Sequence, residues 1–197
     1  MKLKVGDKAP DFSINDQDGK LVNLPALRGK KVVLYFYPKD MTPGCTAEAC
    51  NLRDNYQYLM RQGFEVLGVS TDSEKSHQKF IAKEKLPFRL LADPTKTMHD
   101  AYGTWVEKSM YGRKYMGTAR VTFIINESGI IADIIEKVDT KNHADQILRD
   151  QKVASAPATG KKPGTAIKTS NKAPKKTTPK KASSKRTTVK KTATKKK

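Results

Sequence analysis

The chain has 197 residues, enough for one domain with a hydrophobic core and a further segment. Its net charge is +19, but sixteen of its 39 Lys and Arg residues follow Asp150, where no Asp or Glu occurs, so residues 1–150 carry only +3. No apolar run approaches the roughly 20 residues of a membrane-spanning helix, and the N-terminus lacks the apolar core of a signal peptide. We expect a cytoplasmic protein without a transmembrane segment.

Taken in chain order, the sequence first predicts a short hairpin at the turn signal Asp18-Gly19. Strands are predicted where apolar, β-branched and aromatic residues run continuously, as in a sheet covered on both faces, over 31–37, 64–70, 88–91, 120–125 and 130–138. Helices are predicted between and after them from apolar spacing and from cap and stop residues, over 46–61, 73–85, 94–102 and 142–151. This order indicates an α/β fold with a mixed central β-sheet flanked by helices.

The composition changes abruptly at about Val153, after which Lys, Thr, Ala, Ser and Pro dominate and aromatic residues are absent. Such a segment cannot bury enough apolar surface to offset the entropy lost on ordering. We therefore predict one folded domain over residues 1–152 and a disordered, Lys-rich basic tail over residues 153–197.

The two cysteines, Cys45 and Cys50, are too few and too close together for a disulfide-stabilised secreted domain. In a reducing compartment, a close pair is more often redox-active or metal-binding. Cys45 follows the strand predicted over 31–37 and stands at the N-terminus of the next predicted helix. Unpaired N–H groups and the helix dipole favour an anion there, so we expect a lowered pKa and a reactive thiolate at Cys45.

Other interpretations of the two cysteines stay open at this point. One is that Cys45 is a small buried hydrophobe, the usual environment of a free cysteine. Another is a metal site, but the three histidines, at positions 77, 99 and 143, lack a ligand spacing such as His-x₃-His, so we predict no metal. A thioredoxin-type Cys-x-x-Cys pair is excluded because four residues separate the two cysteines.

The spacing of the cysteines has a mechanical consequence. In a continuous helix, residues five apart differ by about 7.5 Å along the axis and about 140° around it, which separates their Cα atoms by roughly 8.6 Å. A disulfide requires Cα atoms within about 7 Å. A Cys45–Cys50 disulfide would therefore require the first turns of this helix to unwind.

The segment Pro38-x-x-x-Thr42-x-x-Cys45 resembles the active-site motif of the peroxiredoxins. The second cysteine, five residues later, resembles the bacterioferritin-comigratory protein/peroxiredoxin Q subfamily, and the likeness covers about residues 2–150. Further landmarks carry it: Val5-Gly6-Asp7, Ala9-Pro10-Asp11-Phe12, Tyr102-Gly103-x-Trp105 and Gly117-Thr118-Ala119-Arg120-Val121-Thr122-Phe123.

The resemblance implies a thioredoxin-like fold and reduction of peroxides without a metal, haem, flavin or other cofactor. It implies that Cys45 is the peroxidatic nucleophile and that the Thr42 hydroxyl forms a hydrogen bond with the peroxide. Arg120 would hold both the thiolate and the peroxide oxygens, since its guanidinium is permanently charged and supplies several donors. Pro38 would shield the pocket from water, and Glu48 would support these residues.

The resemblance also implies the second half of a catalytic cycle. Attack on hydrogen peroxide or an organic hydroperoxide would leave a sulfenic acid on Cys45, and Cys50 would condense with it to form the Cys45–Cys50 disulfide. An external dithiol, in this family usually thioredoxin, would reduce that disulfide. The subfamily is often monomeric, so we expect a monomer.

The Lys-rich tail departs from the family pattern and is similar in composition to the C-terminal tails of linker histones. Its chemistry suits neutralisation of phosphates in DNA or RNA without reading of bases, and anionic membrane surfaces are another candidate partner. One interpretation is a peroxidase tethered near nucleic acid, associated with a nucleoid or chromatin. The alternatives are a tail that only solvates, and a non-enzymatic DNA-coating protein whose peroxiredoxin-like domain is inactive.

Overall fold

The computed structural model describes residues 3–110 and 112–154. The last helix ends at Ala154, so the rest of the predicted basic tail lies outside the described residues. Within those residues, no helix combines the length and apolar character needed to cross a membrane.

The predicted N-terminal hairpin is present, with a short 3₁₀-helix at Pro25–Leu27 after it. The strands are β1 Ser13–Asn15, β2 Leu21–Asn23, β3 Lys31–Phe36, β4 Phe64–Ser70, β5 Arg89–Ala92, β6 Trp105–Met110, β7 Arg113–Thr118, β8 Val121–Ile125 and β9 Ile131–Ile135. The helices are α1 Pro43–Asp54, α2 Tyr56–Arg61, α3 Glu74–Glu84, α4 Thr97–Ala101 and α5 His143–Ala154.

Five strands form the central sheet in the order β5-β4-β3-β8-β9. β3 pairs in parallel with β4, and β4 with β5, whereas β8 is antiparallel to both β3 and β9. The sheet is therefore mixed, as the sequence predicts. β1–β2 and β6–β7 form two separate antiparallel hairpins.

Two hydrophobic clusters cover the two faces of the sheet, because successive side chains of a strand point to opposite sides. On β3, Leu34 and Phe36 belong to one cluster, and Val33 and Tyr35 belong to the other. The second cluster includes Cys45, together with residues of α1, α3 and α5. Cys45 is thus packed on a single face of the sheet, among buried apolar side chains.

The helical segment predicted over 46–61 differs from the structure at both its start and its middle. Helix α1 begins at Pro43, and Asn55 separates it from α2. The Asn55 side-chain amide donates to the Asn51 carbonyl at 2.9 Å and so competes with the helical backbone. The helix predicted over 94–102 is also shorter, since α4 covers only Thr97–Ala101.

Candidate active site

The segment between β3 and α1 places Cys45 in the first turn of a helix. Thr42 is the N-cap residue with an extended backbone, and Pro43 takes the first helical position, where its missing N–H is not needed. Cys45 is the third residue of α1, and only 2% of it is exposed. The predicted position at a helix N-terminus is therefore correct. The apolar surroundings that the alternative interpretation required are present as well.

Arg120 contacts the thiol directly, because it precedes β8, the antiparallel neighbour of β3. Its Nη2 donates to Cys45 Sγ at 3.2 Å, and its Nη1 donates to Glu48 Oε2. Burial by itself would lower the pKa of Arg120, but the charges of Glu48 and Cys45 outweigh this effect and raise it. The guanidinium therefore stays charged beside the sulfur.

Glu48 lies one turn after Cys45 in α1 and is completely buried. Its second carboxylate oxygen, Oε1, lies 3.2 Å from Nδ1 of His143, the first residue of α5. On the other side of the imidazole ring, Nε2 is 2.9 Å from the Thr122 hydroxyl. The sequence analysis considered His143 only as a metal ligand, and nothing in its spacing indicated this tertiary contact.

The other two histidines are paired with carboxylates in the same way. His77 Nδ1 lies 2.9 Å from Asp40 Oδ2, and His99 Nδ1 lies 2.7 Å from Asp93 Oδ2. Among residues 3–110 and 112–154, no group of three or more His, Cys, Asp or Glu side chains is arranged to hold a metal ion.

Asp40 fixes the loop that precedes α1. Its carboxylate accepts hydrogen bonds from the Tyr37 hydroxyl and the Ser76 hydroxyl, both at 2.7 Å, in addition to its contact with His77. Burial would raise the pKa of Asp40, but the hydrogen bonds from His77, Ser76 and Tyr37 outweigh it and lower the pKa. The neighbouring Met41 has φ +57°, a left-handed conformation that such a network must hold in place.

Thr42 and Pro38 lie in the same loop. The Thr42 hydroxyl donates to the Lys39 carbonyl at 3.1 Å, which leaves its lone pairs free to accept another hydrogen bond. Pro38 is half-buried where the loop leaves β3. The structure thus brings Arg120 into direct contact with both Cys45 and Glu48, and Thr42 lies at the start of α1, the helix that holds these two residues.

Cys50 faces a different neighbour. Its Sγ lies 3.6 Å from Glu84 Oε2 of α3. Burial raises the pKa of Cys50, and Glu84 raises it further against the opposing charge of Arg53. Both cysteines are free, and both belong to the continuous helix α1, so this structure corresponds to the reduced, helical form.

The hairpin β6–β7, which the sequence analysis did not predict, supplies Lys108 to the surroundings of the site. Lys108 Nζ donates to the carbonyl of Thr118, two residues before Arg120. Burial and the charge of Arg120 lower the pKa of Lys108, and Cys45 acts in the opposite direction. No short motif marks this lysine, because its position depends on the pairing of β6 with β7.

Comparison with known proteins identifies the family. The family model described as "AhpC/TSA family" matches residues 5–134. A putative peroxiredoxin bcp of Coxiella burnetii is 47% identical over 148 residues, which cover 75% of this chain and 98% of that protein. Peroxiredoxin Bcp of Escherichia coli is 47% identical over 146 residues, covering 74% and 94% of the two chains.

Solved structures support the same family assignment. A cysteine-to-serine mutant of Xylella fastidiosa PrxQ superposes with a TM-score of 0.74 at 29% identity, over 79% of this chain and 99% of that one. A cysteine-to-serine mutant of Xanthomonas campestris Peroxiredoxin Q gives 0.71 at 34% identity, over 78% and 98%. The thioredoxin-like fold implied by the sequence resemblance is confirmed. The chain therefore belongs to the AhpC/TSA family, in the group of the Bcp and peroxiredoxin Q proteins.

Proposed function

We propose that this protein is a thiol peroxidase that reduces hydrogen peroxide and organic hydroperoxides at Cys45. The observation that supports the proposal most directly is a contact of Cys45, which lies in the first turn of α1. Its Sγ is 3.2 Å from Arg120 Nη2. A related Xanthomonas campestris structure is described as a trapped intermediate/ligand complex bearing on alkyl peroxide reduction activity. Family membership and the position of the thiol support the same reaction here.

The first step is attack of the Cys45 thiolate on one oxygen of the peroxide. The S–O bond forms as the O–O bond breaks, the sulfur is oxidised to a sulfenic acid, and the leaving oxygen takes a proton to become water or an alcohol. Arg120 would stabilise the negative charge on sulfur and on the leaving oxygen. Thr42, whose hydrogen already points to the Lys39 carbonyl, would accept a hydrogen bond from the peroxide.

The second step joins Cys50 to the oxidised sulfur. The Cys50 thiol attacks the sulfenic acid, the disulfide forms, and the hydroxyl group leaves as water. Because α1 is continuous between the two residues, its first turns must unwind before the sulfurs meet. A thioredoxin-type dithiol would then reduce the disulfide and allow α1 to re-form.

Peroxide consumption with thioredoxin, its reductase and NADPH tests the assignment. We expect the Cys45→Ser variant to lose turnover completely. The Cys50→Ser variant should consume one equivalent of peroxide per chain and then stop or overoxidise, because its sulfenic acid has no partner. Retained turnover in Cys45→Ser would overturn the proposal, and loss of the first equivalent in Cys50→Ser would overturn the division of roles.

We further propose that residues 1–152 form the catalytic unit and that the Lys-rich segment over 153–197 associates with nucleic acid. The support is sequence alone: sixteen positive residues and no negative ones after Asp150. The intact contact between Cys45 and Arg120 favours a tethered enzyme over a DNA-coating protein with an inactive domain.

Duplex DNA binding separates these alternatives. We compare the full chain with a truncation after Ala154, where α5 ends, over a series of salt concentrations. The full chain should bind with a steep salt dependence, since each neutralised phosphate adds about −0.9 to the slope of log K against log salt, and the truncation should bind weakly. Equal binding by the two proteins would remove the tail from the proposal.

A further inference from the structure

A row of largely buried side chains leads from the thiol to the start of α5; its members are Cys45, Arg120, Glu48 and His143. Glu48 stands in its middle, with Oε2 accepting from Arg120 and Oε1 facing His143 Nδ1 at 3.2 Å. Glu48 and His143 are both completely buried. Within the part of the chain that the structure describes, three buried side-chain atoms lack a hydrogen-bond partner: Glu48 Oε1, His143 Nδ1 and the hydroxyl oxygen of Tyr35. Of these, Glu48 Oε1 and His143 Nδ1 lie within contact distance of each other.

The surroundings of His143 accommodate both protonation states of its ring. The hydroxyl of Thr122 lies 2.9 Å from Nε2 and serves as a donor to a neutral ring or an acceptor from a charged one. Position at the N-terminus of α5 disfavours a positive charge on the ring, because the helix dipole is positive there. The adjacent Glu48 carboxylate has the opposite effect.

Two further side chains approach the ring or its end of α5, and neither is a charged residue. Tyr35 of β3 approaches it edge-on with ring centroids 6.3 Å apart, and burial, followed by the charge of Glu48, raises the pKa of Tyr35 well above its usual range. The Asn51 amide of α1 lies at the same helix end, where its Oδ1 accepts from the Ala144 N–H. The charge on His143 is thus governed by Glu48 and by the groups that Glu48 contacts.

Charge balance in this row depends on the state of Cys45. With a neutral thiol, the positive charge of Arg120 and the negative charge of Glu48 cancel, and a neutral His143 completes a balanced site. With a thiolate, the same three groups sum to one negative charge in a buried position, where an unbalanced charge is strongly unfavourable. Lys108 also acts on Cys45 and Arg120, but its side chain is only partly buried and donates to the Thr118 carbonyl, so water screens its charge. Within the buried row, a proton on His143 restores the balance.

We propose that His143 is a positioning residue of the peroxidase site, which orients Glu48 toward Arg120 and takes up a proton from solvent when the Cys45 thiol releases one. This inference rests on the proposed function, because it makes the thiolate the working state of Cys45. The two protons are exchanged with water, so the total charge of the row does not change. The coupling is reciprocal: His143 favours the thiolate as much as the thiolate favours protonated His143.

The first experiment compares the titration of the His143 ring in the reduced protein and in the Cys45→Ser variant, read from imidazole nitrogen chemical shifts. The serine cannot ionise in this range, so we expect the midpoint of the His143 titration to fall by about one pH unit. His99 is the matched internal reference, since it pairs with Asp93 at 2.7 Å and with the Thr118 hydroxyl at 3.0 Å. An unchanged His143 midpoint would overturn the inference.

The second experiment measures thiolate formation by ultraviolet absorbance in a Cys50→Ser background, where Cys45 is the only thiol. The His143→Asn variant keeps an amide able to face Glu48 but cannot take a proton. We expect its Cys45 ionisation midpoint to rise by about one pH unit, and its reaction with hydrogen peroxide below that midpoint to slow about tenfold. The His99→Asn control should leave both unchanged.

The outcomes separate the two proposals. A wild-type midpoint in His143→Asn would show that orientation of Glu48 suffices and would overturn the charge coupling. Coupled titrations in a protein that consumes no peroxide would support the proton coupling between His143 and Cys45 and reject the proposed function. Peroxide consumption without coupled titrations would support the proposed function and overturn the inference about His143.

Discussion

Replacing Arg120 by Gln removes the positive charge that lies 3.2 Å from Cys45 Sγ. At that distance and an effective dielectric constant of 20, the attraction between two unit charges is about 5 kcal/mol. Only the part that grows in the transition state affects the rate, and loss of one such donor typically costs about 2.7–4 kcal/mol, or a factor of 10²–10³. We therefore expect the rate constant of Cys45 with hydrogen peroxide to fall by about 10²–10³.

The same variant has a second effect, because it leaves Glu48 buried without its cation. Only 22% of the Arg120 side chain and none of the Glu48 side chain is exposed, so solvent does little to replace the lost contact. Breaking a buried ion pair by removing one partner typically destabilises a protein by about 3–5 kcal/mol. The Arg120→Gln variant should therefore unfold at markedly lower urea concentration than the wild type.

A second substitution distinguishes the catalytic effect from the structural one. The double variant Arg120→Gln, Glu48→Gln removes both charges and should recover much of the lost stability, since two amides leave no unpaired ion. Single-turnover consumption of hydrogen peroxide and urea unfolding are measured on the wild type, both single variants and the double variant. Recovery of the rate together with stability would refute a direct role for Arg120 at the sulfur.

Three further expectations follow from individual contacts. In Gly68→Ala, the new Cβ would lie 2.7 Å from the ring of Tyr35, so urea unfolding should show a loss of about 1–3 kcal/mol. Folding lowers the pKa of Asp40, so the ionised carboxylate stabilises the protein at pH values above the pKa of the unfolded chain. This stabilisation is lost as pH falls through the pKa of the folded protein. Asp40→Asn should therefore reduce the free energy of unfolding at pH 7, and its difference from the wild type should shrink in acid. Burial and then Glu84 raise the pKa of Cys50, so Glu84→Gln should speed its alkylation by iodoacetamide at neutral pH, and an unchanged rate would contradict this.

The central sheet was predictable because its strands are continuously apolar. β4 has the predicted bounds of 64–70, and β3 ends one residue early at Phe36. Burial on both faces gives such strands a composition that a single sequence reveals. The hairpin β6–β7 was missed because exposed β7 is largely polar and gains its order from pairing with β6.

The candidate site also contains residues that the sequence revealed and residues that it did not. Cys45 was found from its position at a predicted helix N-terminus, whereas Thr42 and Arg120 were found through the resemblance to the peroxiredoxins, and the roles proposed for all three stay predictions. His143 and Asp40 were not found, because each forms contacts with residues distant in the chain, Glu48 and Ser76 respectively. Lys108 was not found because its position depends on the pairing of β6 with β7, which the sequence did not reveal. Spacing along the sequence contains no information about such contacts.

The unwinding that the disulfide requires should stop at a defined residue, Asn51. Its side-chain amide donates to the Lys141 carbonyl at 2.7 Å, and its Oδ1 accepts from the Ala144 N–H at 2.9 Å, which fastens this turn of α1 to the start of α5. Gly44, which lies between the N-cap and Cys45, has no side chain to form such a contact. We therefore expect oxidation to open residues 43–50, including the contact of Glu48 with His143, and to leave the contact of Asn51 with α5 intact.

Hydrogen exchange of the reduced and oxidised protein measures this boundary. Amides over 47–54 should lose protection on oxidation, since each donates to a carbonyl four residues earlier in the opened segment. The amide of Ala144 should keep its protection, because its acceptor is the side chain of Asn51. The Asn51→Ala variant is the control, in which Ala144 exchanges quickly in both states. Loss of protection at Ala144 on oxidation of the wild type would show that α1 detaches from α5, and the anchor would then have no role in limiting the change.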